Sequence, residues 1–194
     1  IHGWLLTPVQ KDNNAPLPLV LMSHGLGSQK DMGLLPYAEK FVDNGFAALM
    51  IDYRYFGGSK NSNYTNVRNL INPWNHLADI QTVVDAVQLG ELGGRVDPTR
   101  MVLWGTSFAG GHMLKIANDN AALGVKGVIS QVPHLDGKAA SLKALKTRGP
   151  RGFLRVLFLA VADIALDQIN RLGRKAGYNL DLPAVYVKIV GTAE

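Results

Sequence analysis

The stretch Met101-Val102-Leu103-Trp104-Gly105-Thr106-Ser107-Phe108-Ala109-Gly110-Gly111 decides the fold. Met101 to Trp104 is a short apolar run of the kind that forms a strand covered on both faces. It runs straight into Gly105, small residues recur at Ala109, Gly110 and Gly111, and helix-forming sequence continues through Ile116. A strand that ends on glycine and restarts as a helix makes a sharp turn. The hydroxyl at the centre of that turn belongs to Ser107. The helix behind it aims free N–H groups back at this hydroxyl, which favours negative charge developing there.

Outward from this turn, apolar runs alternate with helical patterns. Pro18 to Ser23 and Phe46 to Ile51 read as buried strands, and Val125 to Ser130 and Pro183 to Val190 as further strands. Leu34 to Val42 is helix-like, with Pro36 in its first turn and Leu35, Ala38 and Val42 on one face. A helix begins near Asn72 with Pro73 as its first residue, and Leu77, Ile80, Val84 and Val87 mark its buried side. The polar stretch from Gly57 to about Leu70 reads as a loop. Regular alternation predicts βαβ crossovers: an α/β fold with a mostly parallel, doubly wound sheet and helices on both faces. Residues 138–180 interrupt the rhythm and are too long for a simple crossover. They read as a basic helical cap or insertion in one domain that runs over 1–194.

The Gly105–Gly111 turn resembles the nucleophile elbow of the α/β-hydrolase superfamily, usually written G-x-S-x-G. There the nucleophile occupies strained backbone, so the positions two before and two after must be small. Here they are Gly105 and Ala109, and Gly110 and Gly111 let the helix approach the sheet. Ser23-His24-Gly25-Leu26-Gly27 resembles the superfamily's HG loop. The resemblance implies that the backbone N–H groups of Leu26 and Phe108 form an oxyanion hole, with the His24 side chain structural. Asp52-Tyr53-Arg54-Tyr55-Phe56-Gly57-Gly58-Ser59 looks like its D-x-R-G-x-G-x-S segment, with Tyr55 where glycine is common. Asp52 and Arg54 are then expected to brace loops. The sequence from Trp104 to His112 looks most like dienelactone-hydrolase-like, X-Pro dipeptidyl-peptidase (S15)-like and polyketide-transferase-like members.

Ser107 as nucleophile needs a histidine base and an orienting acid, and the superfamily's chain order is serine, acid, histidine. After Ser107 only His112 and His134 remain. The first moves away along the elbow helix, and the second follows a strand where this fold places no base. Glu194 stands where the acid is expected, with Asp136 as the fallback. The base is expected beyond residue 194, so the chain reads as an incomplete catalytic domain, inactive by itself. Ile1 to Pro8 resembles the end of an antiparallel lead-in strand.

Composition narrows the partners. The chain has 194 residues, is 47% hydrophobic and has no Cys, which excludes disulfides, thiolate metal sites and a cysteine nucleophile. Its net charge of +5 is local: residues 138–180 hold nine basic and two acidic residues, a net of +7, leaving −2 elsewhere. No aromatic interleaving accompanies them, so no nucleic acid is expected. No apolar run is long enough for a membrane span. No P-loop or metal-ligand cluster appears, so no cofactor is expected. Compartment and oligomeric state stay open, with the lack of Cys and of a visible leader leaning toward the cytoplasm. Leu154, Leu157, Val161 and Ile164 share a face and are candidates for an apolar acyl pocket.

The expectation is a serine hydrolase cleaving an ester, thioester or amide of a small acyl substrate. The alternatives are an acyl transferase or cyclase using the same serine, and a non-catalytic binding protein on the same scaffold.

Overall fold

A computed structural model describes residues 1–9, 15–59, 68–121 and 125–176. The chain divides into two compact units, the first ending at Leu135 and the second beginning at Asp136.

Five strands of the first unit form one sheet: β1 (His2–Leu6), β2 (Leu17–Ser23), β3 (Ala47–Asp52), β4 (Val96–Thr106) and β5 (Val125–Gln131). Their spatial order is β1-β3-β2-β4-β5. β1 pairs antiparallel with β3, and the other pairings are parallel. Three helices complete the unit: α1 (Leu35–Asp43), α2 (Pro73–Gln88) and α3 (Phe108–Asp119). The chain steps from β2 to β3, returns past β2 to β4, and continues to β5. That reversal falls between β2 and β4, whose carboxyl ends are the place where doubly wound sheets bind ligands. This is the fold class that the alternation predicts.

β2, β3 and the Met101–Trp104 part of β4 read as apolar runs because both faces of the sheet are covered there, whereas β1 and β5 hold no fully buried residue. Leu19, Leu21, Leu49, Ile51 and Leu103 point to one side and pack with Ile80, Val84, Met113 and Ile116 of α2 and α3. Val20, Met22, Ala48, Met50 and Trp104 point to the other and pack with Leu34 and Ala38 at α1. Each fully buried Leu, Ile, Val or Met side chain among these contributes roughly 1.5–3 kcal/mol relative to exposure.

Local signals set the helix starts. Asn72 is extended, and its side chain accepts from the Trp74 N–H (3.0 Å) and the Asn75 N–H (3.3 Å), capping α2 ahead of Pro73. Two details differ from the sequence pattern. β4 starts at Val96, before its apolar run, and its pairing with β2 is irregular between Leu17 and Leu19. Leu77 is only half-buried, whereas His76 and Asp79 lie among the buried residues of α2.

The second unit holds α4 (Gly137–Lys175), interrupted at Gly149 (φ 68, ψ 173) just before Pro150. Proline has no N–H to continue the ladder, and glycine accepts the left-handed φ, so the helix breaks there. Asp136 Oδ1 accepts from the Ala139 N–H (2.9 Å) at its head. Residues 138–175 of the expected insertion are helical here apart from that break, and 177–180 lie outside the described residues. Leu154, Leu157 and Val161 are 61%, 47% and 56% exposed. The side chain of Ile164, the predicted strand 183–190 and Glu194 lie outside the described residues. No helix among the described residues is long and apolar enough to cross a membrane.

Candidate active site

Ser107 sits between β4 and α3 with φ 54 and ψ −114, backbone that favours glycine. Its surroundings explain the small residues beside it. A Cβ on Gly105 would stand 2.5 Å from the carbonyl oxygen of Ala109. A Cβ on Gly110 would stand 3.0 Å from Ser130 Oγ and 3.1 Å from Pro133 Cα, and one on Gly111 would collide with the His134 carbonyl. Ala109 itself is fully buried. The strand-to-helix turn therefore closes only if these positions stay small, while the Ser107 residue is exposed.

The segment after β5 grips this turn. The Ser107 N–H donates to the Gln131 carbonyl (2.8 Å), and the Ser107 carbonyl accepts from the N–H groups of Gly110 (3.1 Å) and His134 (2.9 Å). A trans peptide points its N–H opposite to its C=O. Holding the Ser107 carbonyl inward therefore turns the Phe108 N–H outward. As the first residue of α3, Phe108 has no acceptor within the helix for that N–H.

The HG loop lies against the serine: a Cβ on Gly25 would stand 3.4 Å from Ser107 Cβ and 3.9 Å from its Oγ. Leu26 follows and is 39% exposed. His24 turns inward and is 1% exposed. Its ring lies 4.6 Å from that of Tyr53, and its Nδ1 is 3.0 Å from the Gly25 carbonyl. Burial holds its pKa below the usual imidazole value, against the pull of that carbonyl and of Asp52.

Asp52 and Arg54 brace loops here. Asp52 is fully buried at the end of β3 and accepts from the Lys30 N–H (2.8 Å), Lys30 Nζ (2.5 Å) and the Gly58 N–H (2.8 Å). Burial pushes its carboxyl up, but the Lys30 and Gly58 donors outweigh it and hold the pKa below the usual range. Gly57 (φ 48) has no room for a side chain against the Asp52 carboxylate. Arg54 donates from its N–H (2.8 Å) and Nε (2.6 Å) to Asp79. Tyr55 has φ 71, backbone that favours glycine.

His76, His112 and His134 gather behind the turn. His112 Nδ1 approaches the Phe108 carbonyl at 2.5 Å, and a carbonyl only accepts, so Nδ1 carries the proton. Burial lowers its pKa, against the Phe108 and Pro73 carbonyls. His76, 1% exposed, stacks on Tyr53 at 4.1 Å. Burial first, then nearby His112 and His24, push its pKa down to about 3. Among the described residues neither ring nitrogen of His76 has a hydrogen-bond partner. His134 contributes its main-chain N–H to the turn, and its ring lies 5.8 Å from that of Phe108. Sequence reading passed over His76, Asp79 and Lys30. The signal for the first two is their spacing with Ile80, Val84 and Val87 on the buried side of α2; Lys30 carried none. Among the described residues no cluster of three or more His, Cys, Asp or Glu could hold a metal.

No family model matches the chain. The quorum-quenching protein AidA of Acinetobacter baumannii (strain MDR-ZJ06) is 39% identical over 147 residues, 75% of this chain and 44% of that protein. An uncharacterized 31.7 kDa Escherichia coli protein from the traX-finO intergenic region is 32% identical over 136 residues, 70% of this chain and 44% of that one. The chain thus spans less than half the length of these curated relatives. Among solved structures, the α/β hydrolase GrgF from Penicillium sp. sh18 aligns with TM-score 0.61 and 24% identity, over 87% of this chain and 50% of that one. The hypothetical protein PA2218 from Pseudomonas aeruginosa aligns with TM-score 0.65 and 21% identity, over 91% and 50%. Est1E from Butyrivibrio proteoclasticus, solved with ferulic acid, aligns with TM-score 0.59 and 20% identity, over 73% and 52%.

Proposed function

This chain has the α/β-hydrolase fold, and from that premise we propose that it carries the nucleophile and oxyanion-hole portion of a serine hydrolase acting on an ester, thioester or amide. The observation that carries the reading is the Ser107 turn. Its left-handed backbone at the head of α3, its exposure and the outward Phe108 N–H are the features an acyl-transfer nucleophile requires.

In this reading Ser107 Oγ attacks the acyl carbon and passes its proton to a histidine base. The carbonyl oxygen becomes an oxyanion facing the N–H groups of Phe108 and Leu26. Collapse of the tetrahedral intermediate expels the leaving group, which takes the proton, and water then releases the acid. Each oxyanion donor is worth on the order of 3–4 kcal/mol in the transition state. Glu194 as the orienting acid belongs to the same proposal. So does assignment to the branch with dienelactone-hydrolase-like, X-Pro dipeptidyl-peptidase-like and polyketide-transferase-like members, on the Trp104–His112 sequence. The name of AidA adds a narrower proposal: that the substrate is a small molecule used in quorum signalling.

Labelling of the intact protein with a fluorophosphonate probe tests the chemistry. Wild type should label at Ser107 and turn over a p-nitrophenyl ester; Ser107→Ala should do neither. A folded wild type that never labels would favour a binding protein, and acyl products other than the free acid would favour transfer.

A further inference from the structure

We propose that His112 is a positioning residue of the oxyanion hole, acting through Phe108 without touching substrate. The inference rests on the serine-hydrolase reading.

Phe108 is the pivot. The strain at Ser107 would relax most easily by rotation of the Ser107–Phe108 peptide, which would swing the Phe108 N–H away from an oxyanion. The Ser107 end of that peptide is held by Gly110 and His134. Beyond its Phe108 end, the next peptide plane and the Phe108 ring are held by His112, which fixes the other side of the rotation. Its Nδ1–H donates to the Phe108 carbonyl, and its ring packs against the Phe108 ring at 4.5 Å with an interplanar angle of 66°. His76 closes the other side, edge-on to the Phe108 ring at 5.8 Å and 5.8 Å from His112.

Stability alone does not account for imidazoles here. His76 and His112 are 1% and 6% exposed, and among the described residues neither ring nitrogen of His76 has a hydrogen-bond partner. A buried polar atom without a partner is destabilising, and an apolar ring of similar shape would pack without that cost. A cluster that breaks this rule directly behind a strained turn is where sequence and stability are expected to part for function. Of the two, His112 makes the directional contact, so it carries the assignment.

The test separates the hydrogen bond from the packing. His112→Phe keeps an apolar ring and loses the donor, whereas His112→Asn keeps an N–H donor near Nδ1 and loses the ring. An oxyanion donor acts in the transition state only, so misalignment lowers kcat and spares KM. In the intact protein His112→Phe should lower kcat about tenfold or more with KM within about twofold, and should melt no lower than wild type. His112→Asn should recover most of the lost kcat. If the larger ring lowers the melting temperature, His112→Leu replaces it in the same comparison.

A donor-less variant with wild-type kcat would overturn the proposal. So would equal losses in kcat for the Phe and Asn variants, which would mean packing alone. Ser107→Ala, measured alongside, distinguishes the two levels. If it keeps turnover, the serine-hydrolase reading fails and this inference falls with it. If it is inactive while His112→Phe is normal, only the role of His112 fails.

Discussion

Ser107 holds a side chain at φ 54 and ψ −114, where only glycine is free of strain. Strain of this kind costs of order 1–3 kcal/mol and persists where the surroundings over-determine it. Ser107→Gly should therefore be more stable than Ser107→Ala by about 1 kcal/mol, although both lose the hydroxyl. Thermal or urea unfolding of the two variants checks this, and equal stabilities would argue against stored strain. Gly105 shows the opposite limit. Its φ needs no glycine, but a Cβ there would sit 2.5 Å from the Ala109 carbonyl oxygen. Gly105→Ala should cost about 1–3 kcal/mol and lower turnover, because the first turn of α3 has to shift.

At the scale of elements, the turn works because two neighbours hold it. The segment Gln131–His134 grips Ser107 through two main-chain hydrogen bonds, and Gly110 and Gly111 give it room. Gly111→Ala should push this segment away at the His134 carbonyl. We expect a fall in kcat larger than the change in KM, read from steady-state kinetics on an ester; a variant with unchanged kcat would show that the grip is dispensable. α2 is set from its other end. Asn72→Ala removes the side-chain acceptor of two N–H groups and should destabilise by about 1 kcal/mol without altering the labelling of Ser107.

For the whole molecule, the buried histidines set the response to acid. His24, His76 and His112 all have folded pKa values below the ordinary 6.5. Below pH 6.5 the unfolded chain takes up protons that the folded chain refuses, so stability rises with pH and is lost as pH falls. For His76 the window runs from 6.5 down to about 3, at roughly 1.4 kcal/mol per pH unit. Asp52 acts lower: its depressed pKa stabilises the fold above 3.8 and that contribution fades below it. Denaturation midpoints at pH 7, 6 and 5 should fall steadily, and His76→Phe should flatten the slope; an unchanged slope would sink the assignment. Much of the first unit is legible in the sequence, because apolar runs of strand length alternating with amphipathic helices admit few arrangements. The Gly105–Gly111 turn is legible too, since a hydroxyl in strained backbone requires small flanking residues. The histidine cluster was not, because the spacing of His76 with Ile80 and Val84 puts it on the buried side of α2 but does not say which residues of other elements meet it there. Thus the sequence by itself determined the α/β class, the turn and Ser107 at its centre, which depend on short-range sterics and periodicity. Only the tertiary structure decided that the end of β5 turns the Phe108 N–H outward, that Lys30 neutralises Asp52 and that His76 and His112 enclose Phe108. Those contacts join residues far apart in the chain, and their chemistry exists only once the sheet brings the strand ends together.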